Sequence, residues 1–429
     1  MSSASPAAAV CLVGVVGSLL IAFVATTTRR RRPSGSPAPL APDPNLDFTA
    51  QEQASLAAVH QALMPPALVS LLAGVVMSLA LALTGIGAEV VTLSSRLVGG
   101  AWWAVTVVSV PVLMLIPQLA RLPWDARAAH VRRAAGLLTQ AWSGWIADRI
   151  RAFLLGSALT TAAALGILGM LRAWPLWWWV PASLAVAVAV VALGLLAPVV
   201  IEPIFTRFAP VPDGALRERM MKLAERAGVH VGDVLVADAS RRTTALNAYV
   251  SGFGPTRRIV LFDTLADGPD VESVVAHELG HARHRDVVRS VIVAAGAAAA
   301  AVMAGALVLM VAADPAALTA APVAVPELLP VALAAAAILG LIGMPLQAVV
   351  SRRIEARCDE FALDLTGDPA AFIAMMRSLA LANRAALTPS RWRYLLFATH
   401  PTPPQRIAMA RTWSLARGLT PPPPCVGDG

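Results

Sequence analysis

The chain has 429 residues, 57% of them hydrophobic and only 14% charged, whereas soluble globular proteins have about 45–50% apolar and about 25% charged residues. The formal charge of +8 comes from arginine, because Lys222 is the only lysine. The arginines flank apolar runs without interleaved aromatics, which argues against a nucleic-acid partner, and Cys11, Cys358 and Cys425 are too few and too far apart for a disulfide framework or a C-x-x-C metal site.

Long uncharged runs predict seven membrane spans, at about 7–26, 65–87, 100–119, 152–171, 177–201, 291–313 and 329–350. The first lacks a basic stretch before its apolar core and is followed by Arg29 to Arg32, so it reads as an uncleaved anchor and not as a signal peptide. With the N-terminus outside, the connections 29–64 and 120–151 face inward and carry ten arginines. The short outer connections near 88–99, 172–176 and 314–328 carry only Arg96 and Arg172. That bias orients the chain by the positive-inside rule and puts both large polar regions, 202–290 and 351–429, in the cytoplasm.

Trp102, Trp103, Trp174, Trp177, Trp178 and Trp179 fall near predicted span ends, where indoles favour the interface. Pro111, Pro117, Pro181, Pro198 and Pro345 are expected to kink the spans. Glu202, at the end of the fifth span, reads equally as a functional ionisable group or an interfacial anchor. The stretches 33–46 and 418–429, rich in proline, read as a flexible linker and a flexible tail. No internal repeat is present, and the sequence gives no oligomeric state.

The first polar region has mixed structure. "DGALRERMMKLAERAGV" has helical apolar spacing at Leu216, Met220, Leu223 and Ala227, and "DVLVAD" reads as a strand. "LNAYVS" and "RRIVLF" around "GFGPT" predict a hairpin. "VVAHELGHARHRD", residues 274–286, follows on a helix with Gly268-Pro269-Asp270 as start signals.

On that helix His277 and His281 lie one turn apart on one face and can bind one tetrahedral ion. Glu278 stands beside them, close enough to take a proton from a zinc-activated water as general base. A catalytic zinc needs a third ligand and an open position. His284 lies too far along the axis from His277 to share the ion easily. Glu355, in "SRRIEARCDEFALDLTGD" on a helix continuing from the last span, is the better candidate. Asp359, four residues on, shares its face and could accept a hydrogen bond from a ligand histidine. Cys358 reads as a small core residue.

The order "NAY", "RRIVLFDTL", "VVAHELGHARHRD", "SRRIEARCDEFA" and "THPTPPQRI" resembles the type I CAAX prenyl protease family of integral-membrane zinc endopeptidases. The resemblance is specific from about 202 to 410. It implies one Zn²⁺ per chain with ligands His277, His281 and Glu355, and catalytic Glu278. It implies strand addition of the substrate at Asn247 and Ala248, oxyanion stabilisation by His400, and Arg406 supporting that loop. Without it, His400 reads equally as a turn histidine before Pro401.

The expected architecture is mostly α: a seven-helix transmembrane protein with a cytoplasmic α+β metallopeptidase domain. Residues 1–201 form the membrane region with five spans. Residues 202–290 and 351–417 form the two parts of the peptidase, either side of two spans in 291–350, and 418–429 form the tail. The expected function is cleavage of membrane-associated, misfolded or CAAX-like peptides in a bacterial cell membrane. A transporter or a non-catalytic scaffold with a structural zinc is the alternative. The spans lack the buried charged rows of ion pathways, and the ligands and base are intact.

Overall fold

The computed structural model describes residues 38–268, 271–312 and 325–426. The expected span at 7–26, residues 33–37 of the linker, the helix-start residues Pro269 and Asp270, and the last three residues of the tail lie outside the described residues.

The membrane part begins with α1 (Ala50–Leu83). Thr49 starts it with a reciprocal capping box to Glu52, which satisfies two of the orphan N–H groups of the first turn. At 34 residues the helix is about 51 Å long, well beyond the ~30 Å hydrocarbon core, so one end projects from the bilayer. The expected span to residue 87 overruns it. The chain turns at Gly85, whose φ of 80° suits glycine, and the connection expected near 88–99 is the helix α2 (Ile86–Val98). The helices α3 (Trp102–Ala134), α4 (Trp142–Ala173) and α5 (Trp179–Leu196) follow.

Among the described residues, six helices are long and apolar enough to cross a membrane, and the six expected spans after the first overlap them one for one. The prolines sit inside continuous helices at Pro111, Pro117 and Pro345. At Pro198 the helix widens into a π-turn over Ala197–Ile201, a known way to absorb a missing N–H. Of the tryptophans expected near span ends, Trp178 and Trp179 are buried against Leu168, Leu171 and Val105, whereas Trp103, Trp174 and Trp177 are exposed.

The polar part is built on a four-stranded mixed sheet of β1 (Phe208–Pro210), β2 (Asp233–Ala237), β3 (Ala248–Ser251) and β4 (Arg258–Phe262) in the order β1-β2-β4-β3. The hairpin is present, β3 antiparallel to β4 from Ala248↔Leu261 to Ser251↔Arg258. Its turn needs Gly252: at φ 85° an added Cβ would lie 2.3 Å from the Thr256 carbonyl oxygen. β2 runs parallel to β4, with the expected helix α6 (Ala215–Arg226) preceding it.

Strand periodicity puts Ile259 and Leu261 on the face that packs against helices and Val260 on the other, with Leu235 and Ala237. Glu202 accepts hydrogen bonds from Ser251 Oγ at 3.2 Å and lies 3.6 Å from Arg258. It therefore ties the end of the helical stretch that begins with α5 to the sheet.

The main core joins this sheet to α7 (Val271–Arg283), α9 (Leu329–Thr366), α10 (Pro369–Ala382) and α12 (Pro403–Ala416) through Val274, Val275, Leu279, Leu363, Phe372, Met375 and Ile407. Between α7 and α9 runs α8 (Asp286–Ala312), and the short α11 (Arg391–Phe397) precedes α12.

The linker and tail, expected to be flexible, are tied together where they are described. Arg411 pairs with buried Asp47 at 2.5 and 2.8 Å and donates to the Pro422 carbonyl, while Val426 N–H donates to Leu46 O. A buried, bidentate ion pair that also meets backbone carbonyls gives a proline-rich segment the anchoring its own composition lacks.

Candidate metal centre

The site forms where α7 crosses α9, and the crossing is close because position 280 is glycine. A Cβ there would meet the Cα and Cβ of Cys358 at 3.2 and 3.3 Å and the ring of Phe361 at 3.2 Å. Cys358 is fully buried at this contact, in keeping with its reading as a core residue.

Across the crossing, His277 Nε2 lies 3.2 Å and His281 Nε2 3.5 Å from the two oxygens of Glu355. The imidazoles are edge to face, their centroids 5.0 Å apart, as expected one helical turn from each other. The structure therefore brings together His277, His281 and Glu355.

Each imidazole is held from behind. His277 Nδ1 is 2.8 Å from Asp359 Oδ1, and His281 Nδ1 is 3.2 Å from Asp286 Oδ2. Asp359 is in turn bound by both Nε and Nη2 of Arg406, and Asp286 by Arg357. A carboxylate at Nδ1 fixes the proton there and turns the Nε2 lone pair inward.

Three acceptor groups then face one another. Glu355 Oε2 is buried without a hydrogen-bond donor of good geometry. Such a set is stable only around a cation or a proton, so these residues fit a metal. Consistently, burial opposes a charge on His277, but its bond to Asp359 and the pull of Glu355 outweigh it and raise the pKa to about 9.

Glu278 is partly buried beside this set, and burial raises its pKa above the usual carboxylate range. His400 is exposed, with Nε2 3.3 Å from Glu355 Oε2 and Nδ1 2.9 Å from Thr399 Oγ1; burial of the ring's surroundings lowers its pKa. Arg406, expected to support the His400 loop, reaches Asp359 and comes within 3.3 Å of His277 Nδ1.

Asn247 and Ala248 sit at the start of β3, the edge strand of the sheet. His284 is apart from the cluster: its Nδ1 meets the Gly280 carbonyl at 2.8 Å and its ring packs edge-on to Phe361.

Two residues that sequence reasoning missed complete the geometry. Asp286 reaches His281 because Arg285 adopts φ 56° and reverses the chain between α7 and α8. Asn383 holds the backbone before β3, accepting from Leu246 N–H at 2.9 Å and donating to Leu246 O at 3.1 Å. A non-glycine residue in the left-handed region leaves no reliable sequence mark.

Residues 210–414 match Peptidase family M48, and residues 45–207 match the CAAX prenyl protease N-terminal region of five membrane helices. An uncharacterised metalloprotease of Bacillus subtilis, YhfN, is 27% identical over 71% of this chain and 73% of its own length. The CAAX prenyl protease 1 homolog of Caenorhabditis elegans is 31% identical, the aligned part covering 44% of each chain. CAAX prenyl protease 1 of Saccharomyces cerevisiae is 34% identical over 34% of each. The crystal structure of S. mikatae Ste24p has the same fold, with a TM-score of 0.71 over 94% of this chain and 99% of that one, at 19% identity.

A multi-span helical protein with two histidines and a carboxylate gathered at the junction of two helices is here a membrane metalloprotease. Its polar part is similar to peptidase family M48 and its membrane part to the CAAX prenyl protease N-terminal region.

Proposed function

We propose that the protein is a zinc-dependent endopeptidase that cuts membrane-associated, misfolded or CAAX-like peptides, with one Zn²⁺ held by His277, His281 and Glu355. The convergence of two carboxylate-backed imidazoles on Glu355 carries this reading. Zn²⁺ bound there would lower the pKa of a water to about 7 and polarise the scissile carbonyl.

Glu278 takes a proton as general base and returns it to the leaving amine. Its carboxyl, raised by burial, is closer to neutrality than a free glutamate and so suited to both steps. His400, neutral at physiological pH because its pKa is lowered, donates from Nε2 to the developing oxyanion; the Thr399 hydroxyl, 2.9 Å from Nδ1, can donate to that nitrogen in the tautomer required. Arg406 keeps Asp359 charged and in place behind His277.

The substrate backbone adds to β3, an edge strand of the sheet, beside Asn247 and Ala248. Seven spans, counting 7–26, a cytoplasmic peptidase domain and a bacterial cell membrane complete the proposal, on the arginine bias of the connections.

The test is peptide cleavage by purified full-length protein and its Glu278→Gln variant, with metal content measured on both. Cleavage lost while about one zinc per chain remains supports the reading. A Glu278→Gln protein that cleaves as fast as the wild type refutes it.

A further inference from the structure

Between α1 and α11 lies a cavity of about 430 Å³, lined chiefly by Met64, Pro65, Leu68, Val69, Trp392 and Arg393. Its wall is mostly apolar, with Gln61 and the cation Arg393 as its polar groups. Among the described residues the buried Nε of Arg393 has no hydrogen-bond partner, while its Nη2 reaches the His60 carbonyl at 3.4 Å. A guanidinium with an unmet donor at an apolar groove suits an anionic acceptor attached to an apolar body.

The groove also lies at the start of the span expected over 65–87, to which Pro65, Leu68 and Val69 belong. α11 packs against α9 just past its apolar stretch, where Arg352 donates to the Tyr394 and Ala398 carbonyls at 2.8 and 2.5 Å. Trp392, Leu395 and Leu396, spaced i, i+3 and i+4, are exposed by 48%, 54% and 38%. An apolar helix face of tryptophan and leucine bordered by Arg391 and Arg393 has the composition of an element that rests in the headgroup layer.

We propose that this cavity binds an anionic phospholipid, with the phosphate on Arg393 and an acyl chain along Met64, Leu68 and Val69, and that the bound lipid positions the loop carrying His400. That loop leaves the C-terminal end of α11 directly, His400 being three residues past Phe397. Arg352 fastens the same helix end to α9, the helix that bears Glu355. Lipid that steadies α11 therefore steadies the approach of His400 to the metal centre. The second half of the proposal rests on the role given to His400 above; the binding half does not.

The test uses full-length protein in phosphatidylcholine vesicles with and without phosphatidylglycerol. It reads two quantities: phosphatidylglycerol retained per chain after detergent extraction, and kcat and KM for a peptide substrate. Arg393→Gln removes the cation and Val69→Trp fills the groove. Wild type is expected to retain phosphatidylglycerol and to gain in kcat several-fold when it is present. Arg393→Gln is expected to retain about fivefold less, the effect of one basic side chain at an anionic surface, and to lose the gain. Its rate in phosphatidylcholine alone is expected to match wild type, which also shows that it folds. Val69→Trp is expected to behave alike.

Equal retention by wild type and both variants overturns the binding site. Equal kcat with and without phosphatidylglycerol, despite differential retention, overturns the coupling to His400. Variants that raise KM only for peptides bearing an alkyl tail, with retention unchanged, give the groove to substrate and also overturn it. Retention needs no turnover, so failure of the protease reading leaves a distinct signature.

Discussion

Asp286 Oδ2 stands 3.2 Å from His281 Nδ1 although the two residues lie on different helices. The contact exists because the chain reverses at Arg285, and Arg357 from α9 holds the other carboxylate oxygen. The carboxylate thus fixes the imidazole that faces Glu355. Replacing Asp286 with Asn removes the charge and frees the ring. Metal affinity is expected to fall about 10–100-fold, measured by chelator competition, with the helical content unchanged.

Glu355 and Glu278 are expected to separate in their effects. Glu355→Gln leaves the two imidazoles without their anionic partner, so metal content falls and cleavage with it. Glu278→Gln keeps the metal and lowers kcat by about 10²–10⁴-fold, the range for a general acid–base group. Metal analysis beside single-turnover cleavage distinguishes the two.

Metal binding is expected to depend on pH through His277. In the metal-free protein its pKa is raised to about 9, so at neutral pH the cation must displace a proton. Affinity should rise with pH, by up to about tenfold per unit for one displaced proton, and level off above about 9. The sign for the metal-free fold is opposite. A histidine raised in the folded state gives stability that is full below its unfolded value of about 6.5 and is lost as pH rises through about 9. Thermal melts of metal-free and metal-loaded protein across this range, together with chelator competition, check both.

Gly280→Val is expected to push α7 off α9. Its Cβ would come within 3.2 Å of backbone and ring atoms that cannot swing away. Overpacking of this kind costs about 1–3 kcal/mol. Because the displaced contact also sets the distance from the imidazoles to Glu355, metal affinity should fall with the melting temperature.

Asn383→Ala removes both hydrogen bonds to the Leu246 peptide groups and loosens the entry to β3. KM is expected to rise more than kcat falls, with stability lower by about 1 kcal/mol. Steady-state kinetics on peptides long enough to pair with the strand would show it.

The sequence made the helix of His277, Glu278 and His281 legible because histidine and glutamate are rare in this chain and a spacing of four between two histidines has one geometric meaning on a helix. Glu355 and Asp359 were legible for the same reason, four apart on a helix that continues from a span. The hairpin showed itself through two β-prone runs around "GFGPT". Asp286 did not, since its placement depends on a left-handed backbone at an arginine. Asn383 is remote from Leu246 in sequence and carries no periodic signal. Trp178 and Trp179 read as interfacial because composition alone cannot tell a lipid-facing indole from one packed between helices. The ordering of the linker by the tail depends on an ion pair between residues 364 positions apart, Asp47 and Arg411, beyond the reach of any local pattern.

One consequence follows from α9, a single helix of 38 residues that carries an apolar span at one end and Glu355 with Asp359 near the other. The protease cannot be divided into a soluble catalyst and a hydrophobic anchor. Any cut that frees the polar half from the bilayer severs the rod on which the carboxylate is mounted, and a tilt of that rod within the lipid moves the carboxylate against the two histidines.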